Sequence, residues 1–121
     1  MSEAETVKKL VEWWTRSNET RWSYDEHWFT EDFVFDSGIE TLNRDELRWY
    51  VENGIPVSET QVLGVVAVDE DAAIFFEGTD NVTNLRHRFA WMVQFRGGAI
   101  WRIIATNAIV STPAAVHGAR P

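Results

Sequence analysis

The chain contains no cysteine. Disulfides and thiolate metal sites are excluded, and the absence suits a reducing cytoplasm. Proline is nearly absent too: two of the 3 prolines, Pro113 and Pro121, stand with Gly118 in a C-terminal stretch, 112–121, that reads as a loose tail. No apolar run approaches the roughly 18–20 residues that span a bilayer. The opening Met1-Ser2-Glu3-Ala4-Glu5 is acidic and lacks the basic-then-apolar layout of a signal peptide, so a cytoplasmic protein is expected. Basic residues are few and scattered, and the net charge is −8. A nucleic-acid surface needs a basic stripe to neutralise phosphates, and an anionic membrane surface needs a basic cluster, so neither partner is expected. The 7 glycines include no phosphate-binding loop, because Gly97-Gly98 reads as a hairpin turn with no helix after it. There is no nucleophile elbow, no internal repeat and no linker.

What the chain does have is aromatic weight: 7 Trp and 7 Phe in 121 residues, within 45% hydrophobic and 25% charged residues. That is enough for one hydrophobic core, and a single domain over 1–121 is expected, with its core at about 5–110.

The periodicities come in a telling order. Val7, Leu10, Val11 and Trp14 lie at i, i+3, i+4 and i+7, which predicts an amphipathic helix over 3–18. Ser23 with Glu26 is a capping box and predicts a short helix to about Phe29. A strand follows at Phe33–Asp36, closed by Ser37-Gly38. Asn43 with Glu46 is a second cap-like pair, opening a helix through Val51 that Asn53-Gly54 and Pro56 stop. From Glu59 the period changes to two. Strands are predicted at Gln61–Val68, Ala72–Asn81, Arg86–Phe95 and Ala99–Ile109, with turns at Asp69-Glu70-Asp71, Asn81–Asn84 and Arg96-Gly97-Gly98. Helices followed by a meander define an α+β domain. The expected architecture is a cone-shaped roll, three N-terminal helices packed on a strongly curved, mainly antiparallel sheet.

Three stretches carry a resemblance. Trp28-Phe29-Thr30-Glu31-Asp32-Phe33-Val34-Phe35-Asp36-Ser37 is similar to an aromatic-x-acidic-acidic turn followed by a strand that ends in acidic or His residues. Asn43-Arg44-Asp45-Glu46-Leu47 is similar to a Gly-Arg-Glu-x-Ile opening of a third helix, with Asn in place of Gly. Phe95-Arg96-Gly97-Gly98-Ala99-Ile100-Trp101-Arg102-Ile103 resembles a closing hairpin of the form Phe-x-x-Gly-Lys-Ile-x-x-Trp/Arg. In order and spacing these resemble the nuclear transport factor 2 superfamily, which includes ketosteroid isomerases, limonene-epoxide hydrolases and SnoaL-like polyketide cyclases. The resemblance implies a pocket between helices and sheet, and a SnoaL-like protein that binds a small hydrophobic carbonyl, steroid- or polyketide-like ligand, with isomerase- or cyclase-type acid–base chemistry. The alternative is a non-catalytic ligand-binding or partner-binding module, because one fold hosts many functions.

The acid–base candidates are Asp36, Asp80 and His87. Asp36 stands near where the isomerases of the family hold a carboxylate base, although the ungapped count puts that position on Ser37. If Phe33 and Phe35 face the pocket, Asp36 faces away and caps the following turn. Glu77-Gly78-Thr79-Asp80 resembles the Glu-Arg-Val-Asp of epoxide hydrolases, whose Asp donates a proton; Gly78 stands in place of the Arg, and Ile103 in place of a second Asp. Asp80 also suits a turn by propensity. Alternation puts His87 on the face of Phe89 and Trp91, opposite Arg86 and Arg88. Trp13 and Trp91 are near the oxyanion-donor positions of the isomerases, where an indole N–H would only donate; the plainer reading is that they fill the core. The expected pocket lining is Trp13, Phe33, Phe35, Phe76 and Trp91. His and carboxylate spacing offers no metal site, and no cofactor is expected. Ile100, Ile103-Ile104, Ile109 and Val110 place apolar residues at both parities of the last strand, which argues for a homodimer through the outer sheet face.

Overall fold

The computed structural model describes residues 1–19, 26–53, 57–80 and 83–110. Helix α1 (Glu3–Glu19) buries Thr6, Leu10, Trp13 and Trp14. Its buried stripe is displaced from the expected one: Val11 is 45% exposed, and Trp13 is buried in its place. Two adjacent indoles carry far more apolar area than one valine, so the helix rolls to bury both.

The expected helix beginning at Ser23 starts outside the described residues. Within them, Glu26–Trp28 is one 3-10 turn, and Phe29 already belongs to strand β1 (Phe29–Asp36). Two α-helices, rather than three, are thus present among the described residues. The reason is tertiary: Phe29 is buried against Trp13 and Phe33, with ring centroids 6.3 and 4.7 Å away, and pairs with Ile100 in the sheet. A short strand β2 (Thr41–Asn43) precedes helix α2 (Arg44–Glu52). The capping box at α2 is present as read: Glu46 N–H donates to Asn43 Oδ1 at 2.9 Å, and Asn43 N–H donates to Glu46 Oε1 at 3.0 Å.

Strands β3 (Val57–Val68), β4 (Asp71–Asp80), β5 (Leu85–Arg96) and β6 (Ala99–Ile109) form the expected meander. The six strands lie in the order β2-β1-β6-β5-β4-β3. All pairs are antiparallel except β1 with β6, so the sheet is mixed. The β5–β6 turn is the two-residue Gly97-Gly98, with φ of 61° and 84°. Both residues need the left-handed region that glycine reaches without strain. Register shifts in β1, β3 and at Gln94/Phe95 mark irregularities that bend strands and let the sheet curve. Helix α1 packs on β3 and β4, and α2 packs on β1 and β2.

The helix-covered face of the sheet can be read row by row from the pairing. Ala72, Val93 and Ile103 form one row; Ile74, Trp91 and Ala105 the next. Phe76, Phe89 and Asn107 follow, then Gly78, His87 and Ile109, with Asp80 beyond. This face passes from aliphatic, through aromatic, to polar along the strands, and the polar end is where the candidate site lies.

Candidate functional site

Four of the five expected lining residues converge on one ring. Trp91 lies 6.5 Å from Trp13, 5.5 Å from Phe35 and 5.3 Å from Phe76, centroid to centroid. The fifth, Phe33, is buried and joins through Phe29. Trp14 closes the cluster at 4.4 Å from Phe76. Tilted and edge-to-face contacts of this kind are favoured by the ring quadrupoles, so the aromatics hold each other in place. Trp13, Phe33 and Phe76 are fully packed core, whereas Phe35 and Trp91 keep part of their surface exposed. Phe76 stacks on Phe89 at 4.7 Å and 9°, and Phe89 stacks on His87 at 6.0 Å and 26°. The aromatic wall therefore ends in an imidazole.

Two of the three acid–base candidates meet there. His87 Nε2 lies 3.9 Å from Asp80 Oδ2, with the side chains 12% and 28% exposed. Register explains the meeting. Gly78 on β4 is opposite His87 on β5, so Asp80, two residues on along the same face, is diagonal to the imidazole. Gly78 has no side chain to intervene, and its surroundings admit none: a Cβ there would lie 2.5 Å from Val57 Cγ1. An arginine in place of Gly78, as in the epoxide-hydrolase pattern, is sterically refused at that spot. Asp80 serves the turn as well, since Thr83 N–H donates to its Oδ1 at 3.3 Å.

The third member of the group came with no signal in the sequence. Asn107 on β6 is diagonal to His87 from the other side, and its Oδ1 accepts from His87 Nδ1 at 3.1 Å. A single Asn among Ile, Ala and Thr in a strand is unremarkable until the β5–β6 register is known. His87 Nε2 is buried and has no hydrogen-bond partner among the described residues.

Asp36 is not brought to this group. It pairs with Ile104 on β6, five residues short of Ile109 opposite His87, or roughly 17 Å of extended strand. Its Oδ1 accepts from Gly38 N–H at 2.8 Å, which is the turn-capping role. His27 is exposed, His117 lies outside the described residues, and Trp101 is flanked by the Arg96 and Arg102 guanidinium groups at 5.3 and 4.7 Å. Among the described residues, no three His, Asp or Glu side chains are placed to hold a metal ion, and no helix is long and apolar enough to cross a membrane.

The opposite face of the sheet exposes apolar side chains beside the Arg88–Glu77 ion pair. Val66, Val68, Phe75 and Met92 are 58, 67, 40 and 40% exposed. A groove of about 300 Å³ crosses this face between Leu63, Phe75, Ala90 and Thr106. Of the last-strand residues, Ile100 and Ile103 are buried and Ile109 is 61% exposed; the exposed apolar side chains of the outer face come from β3, β4 and β5.

A mixed, curved, unclosed sheet with helices on one face and a polar group at the end of an aromatic wall defines a class of α+β folds. No protein-family model matches this sequence, and no curated protein matches it. Solved structures do match. A steroid delta-isomerase from Pseudomonas aeruginosa is 16% identical over 97% of this chain and 89% of its own, with a TM-score of 0.71. A candidate ketosteroid isomerase from Kribbella flavida is 15% identical over 92% of this chain and 83% of its own, with a TM-score of 0.76. A de novo designed protein with a curved β-sheet is 19% identical over 89% and 88%, with a TM-score of 0.68. The chain thus has the nuclear transport factor 2-like fold, shared with ketosteroid isomerase-like proteins.

Proposed function

We propose that this protein binds a small hydrophobic carbonyl compound, steroid- or polyketide-like, against the exposed parts of Phe89 and Trp91, with the carbonyl end toward Asp80. The observation that carries the reading is the Asp80–His87 approach at 3.9 Å, at the end of a continuous aromatic wall. Apolar walls supply affinity and a few convergent polar groups supply orientation. A carboxylate in that position suits removal of a proton from the carbon next to a carbonyl, followed by its return to the same or a neighbouring carbon, the chemistry of an isomerase or cyclase. The chain is then a SnoaL-like enzyme. The alternative is a binding module that uses the same wall without turnover.

The test has two stages. Steroid enones and polyketide-like diketones are titrated while the Trp91 indole and His87 ring resonances are followed by NMR. Saturable shifts at both are expected; shifts confined to Phe75 and Thr106 on the outer face would overturn the pocket. For a compound that binds, uptake of solvent deuterium at the carbon next to the carbonyl separates enzyme from binder.

A second reading concerns assembly, and the exposed apolar side chains of β3–β5 favour it. Two copies joined through this face would cover Val66, Val68, Phe75 and Met92 together, and a patch of that kind commonly marks an interface. Light scattering should then give twice the 14.0 kDa chain mass.

A further inference from the structure

His87 has two ring nitrogens in different circumstances. Nδ1 is 3.1 Å from the carbonyl oxygen of the Asn107 amide, an atom that only accepts. Nδ1 must therefore carry the hydrogen. In a neutral imidazole that leaves Nε2 as a bare lone pair, and Nε2 is the nitrogen that is buried, without a hydrogen-bond partner among the described residues, and 3.9 Å from Asp80 Oδ2. A buried acceptor with no donor is costly unless it serves something. The group nearest this nitrogen, the Asp80 carboxylate, is itself a carrier of a proton. Asp80 is the more exposed of the pair, and so the member that a ligand meets first.

We propose that Asn107 holds His87 in the Nδ1–H form so that Nε2 receives the proton that Asp80 collects. The step balances without any outside reagent. The carbon–hydrogen bond of the ligand breaks, its electron pair stays as the enolate, and the proton joins an Asp80 carboxylate oxygen. It then passes from that oxygen to His87 Nε2. The products are an Asp80 carboxylate, ready again, and an imidazolium whose two N–H groups face Asn107 Oδ1 and Asp80 Oδ2. Return of the proton runs the same path backwards. Transfer needs the two side chains to close by about 1 Å from 3.9 Å, toward the roughly 2.7–2.9 Å of a formed hydrogen bond, a tightening usual when a ligand-free site is filled. In this arrangement His87 and Asn107 act through Asp80; they are positioning residues behind a catalytic carboxylate.

The relay rests on the carbonyl-ligand reading above, but the hydrogen placement does not, and the experiment starts there. The ligand-free protein, ¹⁵N-labelled, reports the His87 tautomer through its two-bond ring correlations. The neutral ring is expected as Nδ1–H in the wild type and in Asn107→Asp, which keeps an acceptor oxygen, and as a mixture shifted to Nε2–H in Asn107→Ala. Were the Asn107 amide turned the other way, its NH₂ would donate to Nδ1 and the wild type would be Nε2–H. That result, or a tautomer unchanged in Asn107→Ala, overturns the proposal whatever the protein binds. With a ligand that exchanges, Asn107→Ala should lower kcat on the order of tenfold with KM unchanged, part of the roughly 10²–10⁴-fold that positioned acid–base groups contribute, and Asn107→Asp should restore it. Equal loss in both variants would also overturn it.

Discussion

Val57 and Gly78 are in contact across β3 and β4 at the one place where β4 has no room for a side chain. The site of a Cβ on Gly78 is 2.5 Å from Val57 Cγ1, and no real carbon pair tolerates that distance. Gly78→Ala should therefore destabilise the fold by roughly 1–3 kcal/mol, the usual cost of overpacking. Removing the opposing methyls tells cause from coincidence. In a double-mutant cycle with Val57→Ala, the double variant should recover much of the loss, and strict additivity of the two changes would refute the contact. Urea unfolding measures all three.

Phe76 is the hub between α1 and the sheet, 4.4 Å from Trp14 and stacked at 4.7 Å on Phe89. Phe76→Ala should cost roughly 3–5 kcal/mol by equilibrium unfolding, since it removes buried area and leaves a void that rigid neighbouring rings cannot fill. A loss under 1 kcal/mol would mean that the cluster collapses freely.

Asp80 has two duties that one substitution separates. Asn keeps an oxygen to accept from Thr83 N–H, a bond of 3.3 Å in the native turn, and removes the proton acceptor. Asp80→Asn should leave thermal stability close to wild type and reduce deuterium exchange into a bound ketone by roughly 10²–10⁴-fold. Full exchange in this variant would move the chemistry elsewhere.

The Arg96 guanidinium beside Asp32, and then the Thr30 hydroxyl, hold the Asp32 carboxyl below its usual 3.8. A depressed folded value means that the unfolded chain binds the proton more readily. The contribution is then present above the ordinary value and is lost as pH falls through the depressed one. Both side chains are well exposed, at 63 and 53%, so the effect is small and screened by salt. Asp32→Asn should lower the urea midpoint slightly at pH 7 and low ionic strength, and the gap should close in acid and in high salt. A gap that widens in acid would reverse the sign of this argument.

Phe75 and Val68 are exposed on the outer face. Phe75→Glu, at a 40% exposed position, leaves the helix-covered core untouched. If the face pairs two copies, the variant should sediment at 14.0 kDa where the wild type sediments at twice that. Equal masses at micromolar concentration would end the dimer reading.

Most of the fold was legible because the signals that specify it are local. Asn43 and Glu46 are three residues apart and satisfy each other's backbone without help from the rest of the chain. Gly97-Gly98 turns β5 into β6 by its own backbone freedom. Alternation over β4 and β5 put Phe76, Phe89, Trp91 and His87 on one face, and that is where they are. The misses were all decided at a distance. Val11 lost its place to Trp13 because the sheet and Phe29 offer a surface large enough for two indoles. Phe29 became strand because Ile100, far along the chain, is its partner. The three residues of β2 are too few to show a period, and only pairing with β1 makes them a strand.

The site divides the same way. The resemblance of Glu77-Gly78-Thr79-Asp80 to the epoxide-hydrolase stretch nominated Asp80, and alternation nominated His87 by placing it on the face of Phe89 and Trp91. Whether they touch, and that Asn107 joins them while Asp36 does not, follows from register across three strands. Alternation assigns a face, but a side chain's neighbours on that face are set by which residue sits opposite. That depends on the turns, the bulges and the absence of a Cβ at Gly78, which only the folded sheet brings together.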